Sequence, residues 1–283
     1  NIAQGTNTII ATKMGLSLAD FVVTEAGFGA DLGAEKFMHI KGYYGNLKPD
    51  AYVLVATIRA LRYHGGAKKG EYEKPNLAAV EKGIENLKKH IENGFKWQLK
   101  PIVAINHFAT DSEEEINFVK AECEKLGVKA ILADEFTMGG EGMKALAEEV
   151  ASCAFNCGNN FKPLYSVEDS VEHKIETIAK EVYGADSAVF SQKAKNQLKS
   201  IYELGLDKLP ICMAKTQKSL SDDEKKIGRP TGFKVTVREF EFAAGAGFII
   251  PILGDMMRMP GLPSIPAAEG MNIDKDGVIT GLS

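Results

Sequence analysis

Hydrophobic positions along the chain alternate between two patterns. Short apolar runs that are typical of buried strands occur at residues 21–23, 52–55, 101–105 and 129–132. Between them, apolar residues recur with a period near 3.6, as on one face of an amphipathic helix. The clearest such stretch covers residues 76–93, with Leu77, Val80, Ile84, Leu87 and Ile91 on that face. Alternating strands and helices predict an α/β protein with parallel sheets and crossover helices.

The same pattern continues to the end of the chain, with more loop in the last third. Asp111 and Glu114 predict a capping box that opens another helix. Further helices are predicted at 140–154, 171–182 and 192–204, and further strands at 210–213 and 233–237. Residues 219–232 are polar, contain glycine and proline, and predict a surface loop.

Composition narrows the class of protein. The 283 residues are 45% hydrophobic and 25% charged, with a formal net charge of -4, which excludes a disordered tail and gives no reason to expect nucleic acid. The longest apolar stretch, 243–253, contains two glycines and a proline, so we expect no membrane span. Four cysteines are too few to staple such a chain, which favours a soluble protein of the reducing cytoplasm.

Segment 24–31, Thr-Glu-Ala-Gly-Phe-Gly-Ala-Asp, follows the first predicted strand. At the carboxyl edge of a parallel sheet, such a turn lets the backbone approach a nucleotide, while Glu25 or Asp31 holds magnesium or orients water. Glu25 occupies the position of a Walker B acid. A glycine-rich turn whose acids cap a helix is the alternative interpretation.

Segment 55–66, Val-Ala-Thr-Ile-Arg-Ala-Leu-Arg-Tyr-His-Gly-Gly, gathers Arg59, Arg62 and His64 after the second predicted strand. Cations at a sheet edge suit a phosphate or a carboxylate, and paired glycines leave room for it. A solvated basic loop explains the same composition. Cys153 and Cys157 have the spacing of two metal ligands, but the sequence offers no second pair, and packing is the expected role.

Segments 24–31 and 55–66 closely resemble signature segments of formate–tetrahydrofolate ligases. Segments 214–222, 228–233 and 254–261 agree as well, and the resemblance runs in order to the C-terminal Gly-Leu. It implies a three-domain α/β enzyme, a homotetramer, whose large domain is similar to P-loop nucleotide-binding proteins. The implied reaction uses ATP with Mg²⁺ to phosphorylate formate, and the amine of tetrahydrofolate then attacks formyl phosphate. The resemblance leaves open whether the enzyme uses a monovalent cation.

In the family, a phosphate-binding loop precedes the segments that are matched here. A search of this sequence finds no Gly-x-x-x-x-Gly-Lys-[Ser/Thr] motif, and the first residue is Asn1. We therefore expect a C-terminal half, inactive by itself. The expected division is the end of the nucleotide domain at 1–98, a folate-binding domain at 99–175 and a third α/β domain at 176–283.

The resemblance also implies a folate platform in which two aromatic rings stack on the pterin. The matching positions are Phe108 and Phe136, although most members carry Trp at the second position and Pro where Ala109 stands. Two ordinary core phenylalanines are the alternative. The complete set of candidate site residues is Glu25, Arg59 and His64 for catalysis, Asn106, Phe108, Phe136, Gly139 and Gly140 for folate, and Asp31 for magnesium.

Two other functions remain open on the sequence. A non-catalytic folate-binding or regulatory module would need a partner chain to supply the phosphate loop. A P-loop ATPase of the partitioning type would need its own phosphate loop and no folate platform, which the segments around Phe108 and Phe136 argue against.

Overall fold

Helices and strands alternate along most of the chain in the computed structural model, which describes residues 7–158, 160–254 and 265–281. The helices are α1 (Ile9–Leu18), α2 (Gly33–Lys36), α3 (Gly42–Gly45), α4 (Ile58–His64), α5 (Leu77–Lys96), α6 (Glu113–Lys125), α7 (Glu135–Met138), α8 (Gly140–Asn156), α9 (Val171–Thr177) and α10 (Gln192–Glu203). The strands are β1 (Tyr52–Ala56), β2 (Pro101–Asn106), β3 (Ala130–Ala133), β4 (Ser187–Phe190), β5 (Lys234–Ala243), β6 (Phe248–Leu253), β7 (Asn272–Ile273) and β8 (Ile279–Thr280). This mixture confirms the α/β class.

The first sheet has the order β1-β2-β3, and all its strands are parallel. Alternate residues of β2 enter two separate cores, because successive side chains of a strand point to opposite faces. Val103 and Ile105 pack with α5 and α6, whereas Ile102 and Ala104 pack with Leu146 of α8. Helices therefore cover both faces, which explains why β2 is apolar along almost its whole length.

Local hydrogen bonds determine where two of the predicted helices begin. The Asn76 side chain accepts the Ala79 amide at 3.1 Å and opens α5, which confirms that helix. At α6 the capping box consists of Ser112 and Glu115, one residue later than the predicted pair of Asp111 and Glu114. That prediction was wrong because the Asp111 carboxylate instead accepts the amide of Phe108, at 2.9 Å.

Two predicted strands do not form. Residues 21–23 lie outside every strand of the described chain, and Phe21 and Val23 are 47% and 88% exposed. Residues 210–213 contribute only a single bridge between Ile211 and Ile249. An apolar run becomes a strand only where another strand completes its hydrogen bonds, and the run itself does not encode that partner.

The second sheet has the order β4-β5-β6, with β4 parallel and β6 antiparallel to β5. Its core includes Trp97 together with Ala34 of α2 and Met38 of the π-helical turn Phe37–Lys41, so the N-terminal region packs on the C-terminal one. The predicted surface loop at 219–232 is partly internal, since Leu220 and Ser221 are buried. A second π-helical segment, Ile178–Tyr183, extends α9, and β7 pairs with β8 in an exposed hairpin.

The predicted domain boundary at residue 98 falls between β1 and β2, which are paired neighbours in the first sheet. The division at 98 and 175 stays a prediction. Of the family-like segment 254–261, all but Gly254 lies outside the described residues. No helix within the described ranges combines the length and apolar character that crossing a bilayer requires.

Candidate active site

A cleft of about 1490 Å³ runs along the open edge of the first sheet, beside β1 and α8, and reaches the carboxyl ends of the strands. Thr57 follows β1, Asn106 ends β2 and Glu135 follows β3, and all of them line this cleft. The three positions lie at one edge because the strands are parallel and in register. Ligands of open α/β sheets bind outside the carboxyl ends of the strands, so this edge is the candidate site.

Segment 24–31 forms one wall of the cleft. Glu25 lines it and is exposed to solvent. The segment folds back on the start of α2 so closely that a Cβ at Gly33 would lie 1.9 Å from the carbonyl oxygen of Gly27. Phe28 lines the same wall with φ of 61° and is 54% exposed. An exposed aromatic side chain on a left-handed backbone is costly, which marks Phe28 as an additional candidate.

Asp31 lies beneath this wall in a buried ion pair. Its Oδ2 is 2.6 Å from Nζ of Lys215, and that ammonium group also donates to the carbonyl oxygens of Thr216 and Ser219 and lies over the ring of Tyr183. Burial by itself would raise the pKa of Asp31. The charge and hydrogen bond of Lys215, together with the charges of His90 and Lys36, outweigh burial and hold the pKa below its ordinary value. Asp31 is therefore a carboxylate that already has a cationic partner.

His64 and His90 both line the cleft and are half-buried, and a charge on either ring opposes protonation of the other. Loss of hydration, followed by the effect of His90, lowers the pKa of His64 to about 4. Nδ1 of His64 accepts the Gly228 amide at 3.1 Å, which assigns the ring proton to Nε2. At neutral pH His64 is thus an uncharged hydrogen-bond donor and not one of a group of cations.

The two arginines of segment 55–66 lie in opposite surroundings. Arg59 is 54% exposed and forms a loose pair with Glu73, at 3.5 Å, outside the lining of the cleft. Arg62 is fully buried and forms two hydrogen bonds with Glu115, at 2.8 and 2.6 Å. The basic segment therefore does not present a single cluster of cations at the sheet edge, because α4 turns its side chains to different sides.

The two aromatic residues of the expected platform follow cleft-lining residues in the chain. Phe108 comes two residues after Asn106 and is 45% exposed, and Phe136 comes directly after Glu135 and is 94% exposed. Neither is a core residue, which removes the alternative of two buried phenylalanines. Exposed aromatic faces are available for stacking.

The two glycines beyond Phe136 connect α7 to α8. Gly139 has φ of 57° and ψ of -138°, a conformation that is open to glycine alone. Gly140 begins α8 and has free space around its Cα. These glycines allow the chain to reverse after the single turn of α7, and neither of them lines the cleft.

The structure thus brings Glu25, Asp31, His64 and Asn106 to one cleft. The other predicted site residues do not line it: Arg59, Phe108, Phe136, Gly139 and Gly140. The roles predicted for all these residues stay predictions. Sequence reasoning missed Phe28 and Lys215. For Phe28 the signal was an aromatic residue between two glycines, whereas Lys215 is more than 180 positions from its partner and left no local signal.

An α/β fold with a large cleft at the carboxyl edge of a parallel sheet defines a protein that binds small molecules, most often an enzyme. The comparison with protein families is in agreement. The model of formate–tetrahydrofolate ligase matches residues 1–283, the whole chain. The chain belongs to the formate–tetrahydrofolate ligase family, whose members join formate to tetrahydrofolate.

Proposed function

We propose that this chain takes part in the ATP-dependent ligation of formate to tetrahydrofolate, which yields 10-formyltetrahydrofolate through formyl phosphate. The observation that carries this proposal is the family match over residues 1–283. The cleft that reaches the carboxyl edge of the first sheet supports it, because ligands of α/β sheets bind at that edge and Glu25, His64 and Asn106 line the cleft. The proposal includes a homotetrameric assembly and a location in the cytoplasm.

In this proposal the pterin stacks between Phe108 and Phe136. Phenyl rings carry no polar groups, so stacking them on the pterin breaks no hydrogen bonds between the rings and water. Most of the affinity therefore comes from the apolar area that the rings bury. Asn106 lines the cleft and offers an amide for a polar edge of the pterin. Gly139 and Gly140, which have free space around them, follow Phe136 in the chain. The Phe136 ring is smaller than the indole that most members carry, which predicts weaker stacking at that face.

The nucleotide and formate would occupy the part of the cleft that Glu25 and His64 line. A formate oxygen attacks the γ-phosphorus of ATP and ADP leaves; the folate amine then attacks the formyl carbon, phosphate leaves and the amine loses its proton. Nε2–H of His64 suits an oxygen of formate or phosphate as a neutral donor. Arg59 would contribute only through the general positive potential, since it lies outside the cleft lining.

The surroundings of Asp31 do not fit the predicted magnesium site. A metal ion at its carboxylate would compete with Lys215 in a buried ion pair, and the part of the chain that the structure describes contains no group of three potential metal-binding side chains. We therefore derive no step through magnesium from these residues. Asp31 instead fits an electrostatic link between the wall of the cleft and the C-terminal region.

Titration of the full chain with tetrahydrofolate in a calorimeter tests the proposal. We expect saturable binding that Phe108→Ala and Phe136→Ala each weaken about tenfold or more, as loss of a stacking ring should. The matched control is Phe242→Ala, which removes a 43% exposed ring from the second sheet. Binding that all three variants retain would contradict the platform. Binding without formate-dependent turnover would favour the alternative of a non-catalytic folate-binding module.

A further inference from the structure

Arg62, on α4, forms the centre of a buried polar network. Nε and Nη2 donate to the two oxygens of Glu115, and Nη1 donates to the carbonyl oxygen of Tyr72, at 2.8 Å. Nη2 also donates to the carbonyl oxygen of Thr110, at 3.0 Å. The planar guanidinium group serves four acceptors at once, which an ammonium group could not do in the same geometry.

The carbonyl of Thr110 belongs to the loop that follows β2 and carries Phe108. Within this loop the Asp111 carboxylate accepts the Phe108 amide at 2.9 Å, and the Asp111 amide donates to the Phe108 carbonyl, also at 2.9 Å. Oδ1 of Asp111 is 3.7 Å from Nη2 of Arg62. The loop is therefore closed on itself and held by one buried arginine.

Glu115 connects the same network to two helix starts. It accepts the amide of Asn76, at 2.8 Å, and the amide and hydroxyl of Ser112, at 3.0 and 2.8 Å. Because its carboxylate is saturated, it holds the guanidinium group in one orientation. The position of the Thr110 carbonyl is thereby tied to the starts of α5 and α6.

We propose that Arg62 is a positioning residue for folate: it fixes the loop at residues 108–111 so that the ring of Phe108 is already placed for stacking. This inference rests on the proposed function, in which Phe108 contacts the pterin. Ordering the loop during folding removes a cost that binding would otherwise bear, so Arg62 acts on affinity through Phe108 and without touching the ligand.

A double-mutant cycle with tetrahydrofolate as the probe tests this role. Arg62→Lys keeps a charge for Glu115 but cannot serve all four acceptors, and we expect binding about tenfold weaker, as for loss of one charge-assisted hydrogen bond. In the Phe108→Ala background the same substitution should have almost no effect, because its action passes through the ring. A purely structural role would give additive effects, and that result would overturn the proposal.

Two further variants separate the hydrogen bond in the loop from general stability. Asp111→Ala removes the acceptor of the Phe108 amide and should weaken binding, whereas Asp111→Asn keeps an oxygen there and should retain most of it. Lys88→Gln is the matched control, because Lys88 pairs with Glu122 on the same helix as Glu115, at 2.8 Å, and does not contact the loop. Equal losses in Asp111→Asn and Asp111→Ala would count against the positioning role.

Hydrogen exchange at the Phe108 and Asp111 amides provides a readout without ligand. Arg62→Lys should accelerate exchange at these two amides, while Lys88→Gln should not. If the unmodified chain shows no binding of tetrahydrofolate, the proposed function fails, whatever the exchange shows. If the unmodified chain binds and exchange and affinity are unchanged in Arg62→Lys, the positioning inference alone fails.

Discussion

The loops that follow β2 and β3 carry the two aromatic residues of the proposed platform, and they are built in opposite ways. The loop at 108–111 is closed by Asp111 and held by the buried Arg62. Phe136 instead lies on α7, a single helical turn with no buried residue, and its side chain is 94% exposed. The first loop is fixed by buried contacts, whereas every side chain of α7 is exposed.

Because of this difference, the segments that follow neighbouring strands of one sheet can have different roles in ligand binding. A ring that folding has already placed costs little conformational entropy when the ligand arrives, while an exposed ring must be ordered at that moment. We therefore expect Phe108 to define where the pterin lies and Phe136 to close over it. The contrast also separates substitutions that affect stability from those that affect affinity.

The largest expected effect on stability comes from breaking the buried ion pair that holds the loop at 108–111. Arg62→Met leaves the buried carboxylate of Glu115 without its partner, and loss of one member of a buried ion pair costs about 3–5 kcal/mol of unfolding free energy. Urea unfolding measures this. Arg59→Met is the control on the same helix and should change stability by less than about 1 kcal/mol, because its pair with Glu73 is exposed. Equal effects of both variants would refute the contrast.

Acid should weaken the ion pair between Arg62 and Glu115 within a defined pH range. Burial raises the pKa of Glu115, but hydrogen bonds from Arg62, Asn76 and Ser112 outweigh burial and hold the pKa at about 2. Its contribution, at most about 3 kcal/mol, is therefore complete above its unfolded pKa of about 4.5 and is lost as the pH falls toward 2.

Thermal unfolding of the unmodified chain and of Glu115→Gln between about pH 5 and pH 2 checks this expectation. The variant should be less stable at the upper end of this range and should lose less stability on acidification, because it has no carboxylate to protonate at this position. Parallel curves for the two proteins would contradict it.

The segment around α7 depends on close backbone packing at Gly142. A larger residue at this position should have an intermediate effect on stability. A Cβ at Gly142 would lie 2.2 Å from the carbonyl oxygen of Asp134, which precedes α7. Gly142→Ala should cost about 1–3 kcal/mol, as overpacking does, in a urea titration. Gly140→Ala is the control, since its added Cβ meets no atom within 4 Å, and it should be neutral or stabilising.

The smallest effect on stability is expected at Phe136 itself. Phe136→Ala should shift the free energy of unfolding by no more than about 0.5 kcal/mol, because the ring makes almost no buried contact. Phe136→Trp should bind tetrahydrofolate a few times more tightly, since the larger ring covers more of the pterin. A clear loss of stability in Phe136→Ala would show that the ring packs against the protein.

Local patterns were enough to predict most of the elements that form the first sheet. The period of apolar residues predicted α5, and the apolar run at residues 101–105 predicted β2. These predictions succeeded because they depend on side chains that are close in sequence. The resemblance to formate–tetrahydrofolate ligases is carried by whole contiguous motifs, and for the same reason the sequence by itself was enough to recognise it.

Long-range contacts decided the rest. Residues 21–23 have the composition of a strand but lack a strand partner in the described chain. Arg62 carries the charge that suits a phosphate, but its guanidinium group is buried against Glu115. The link between Asp31 and Lys215 spans most of the chain. Periodicity reports which side of an element is apolar, but only tertiary packing determines which distant charge a buried side chain meets, and that partner sets its protonation and its role.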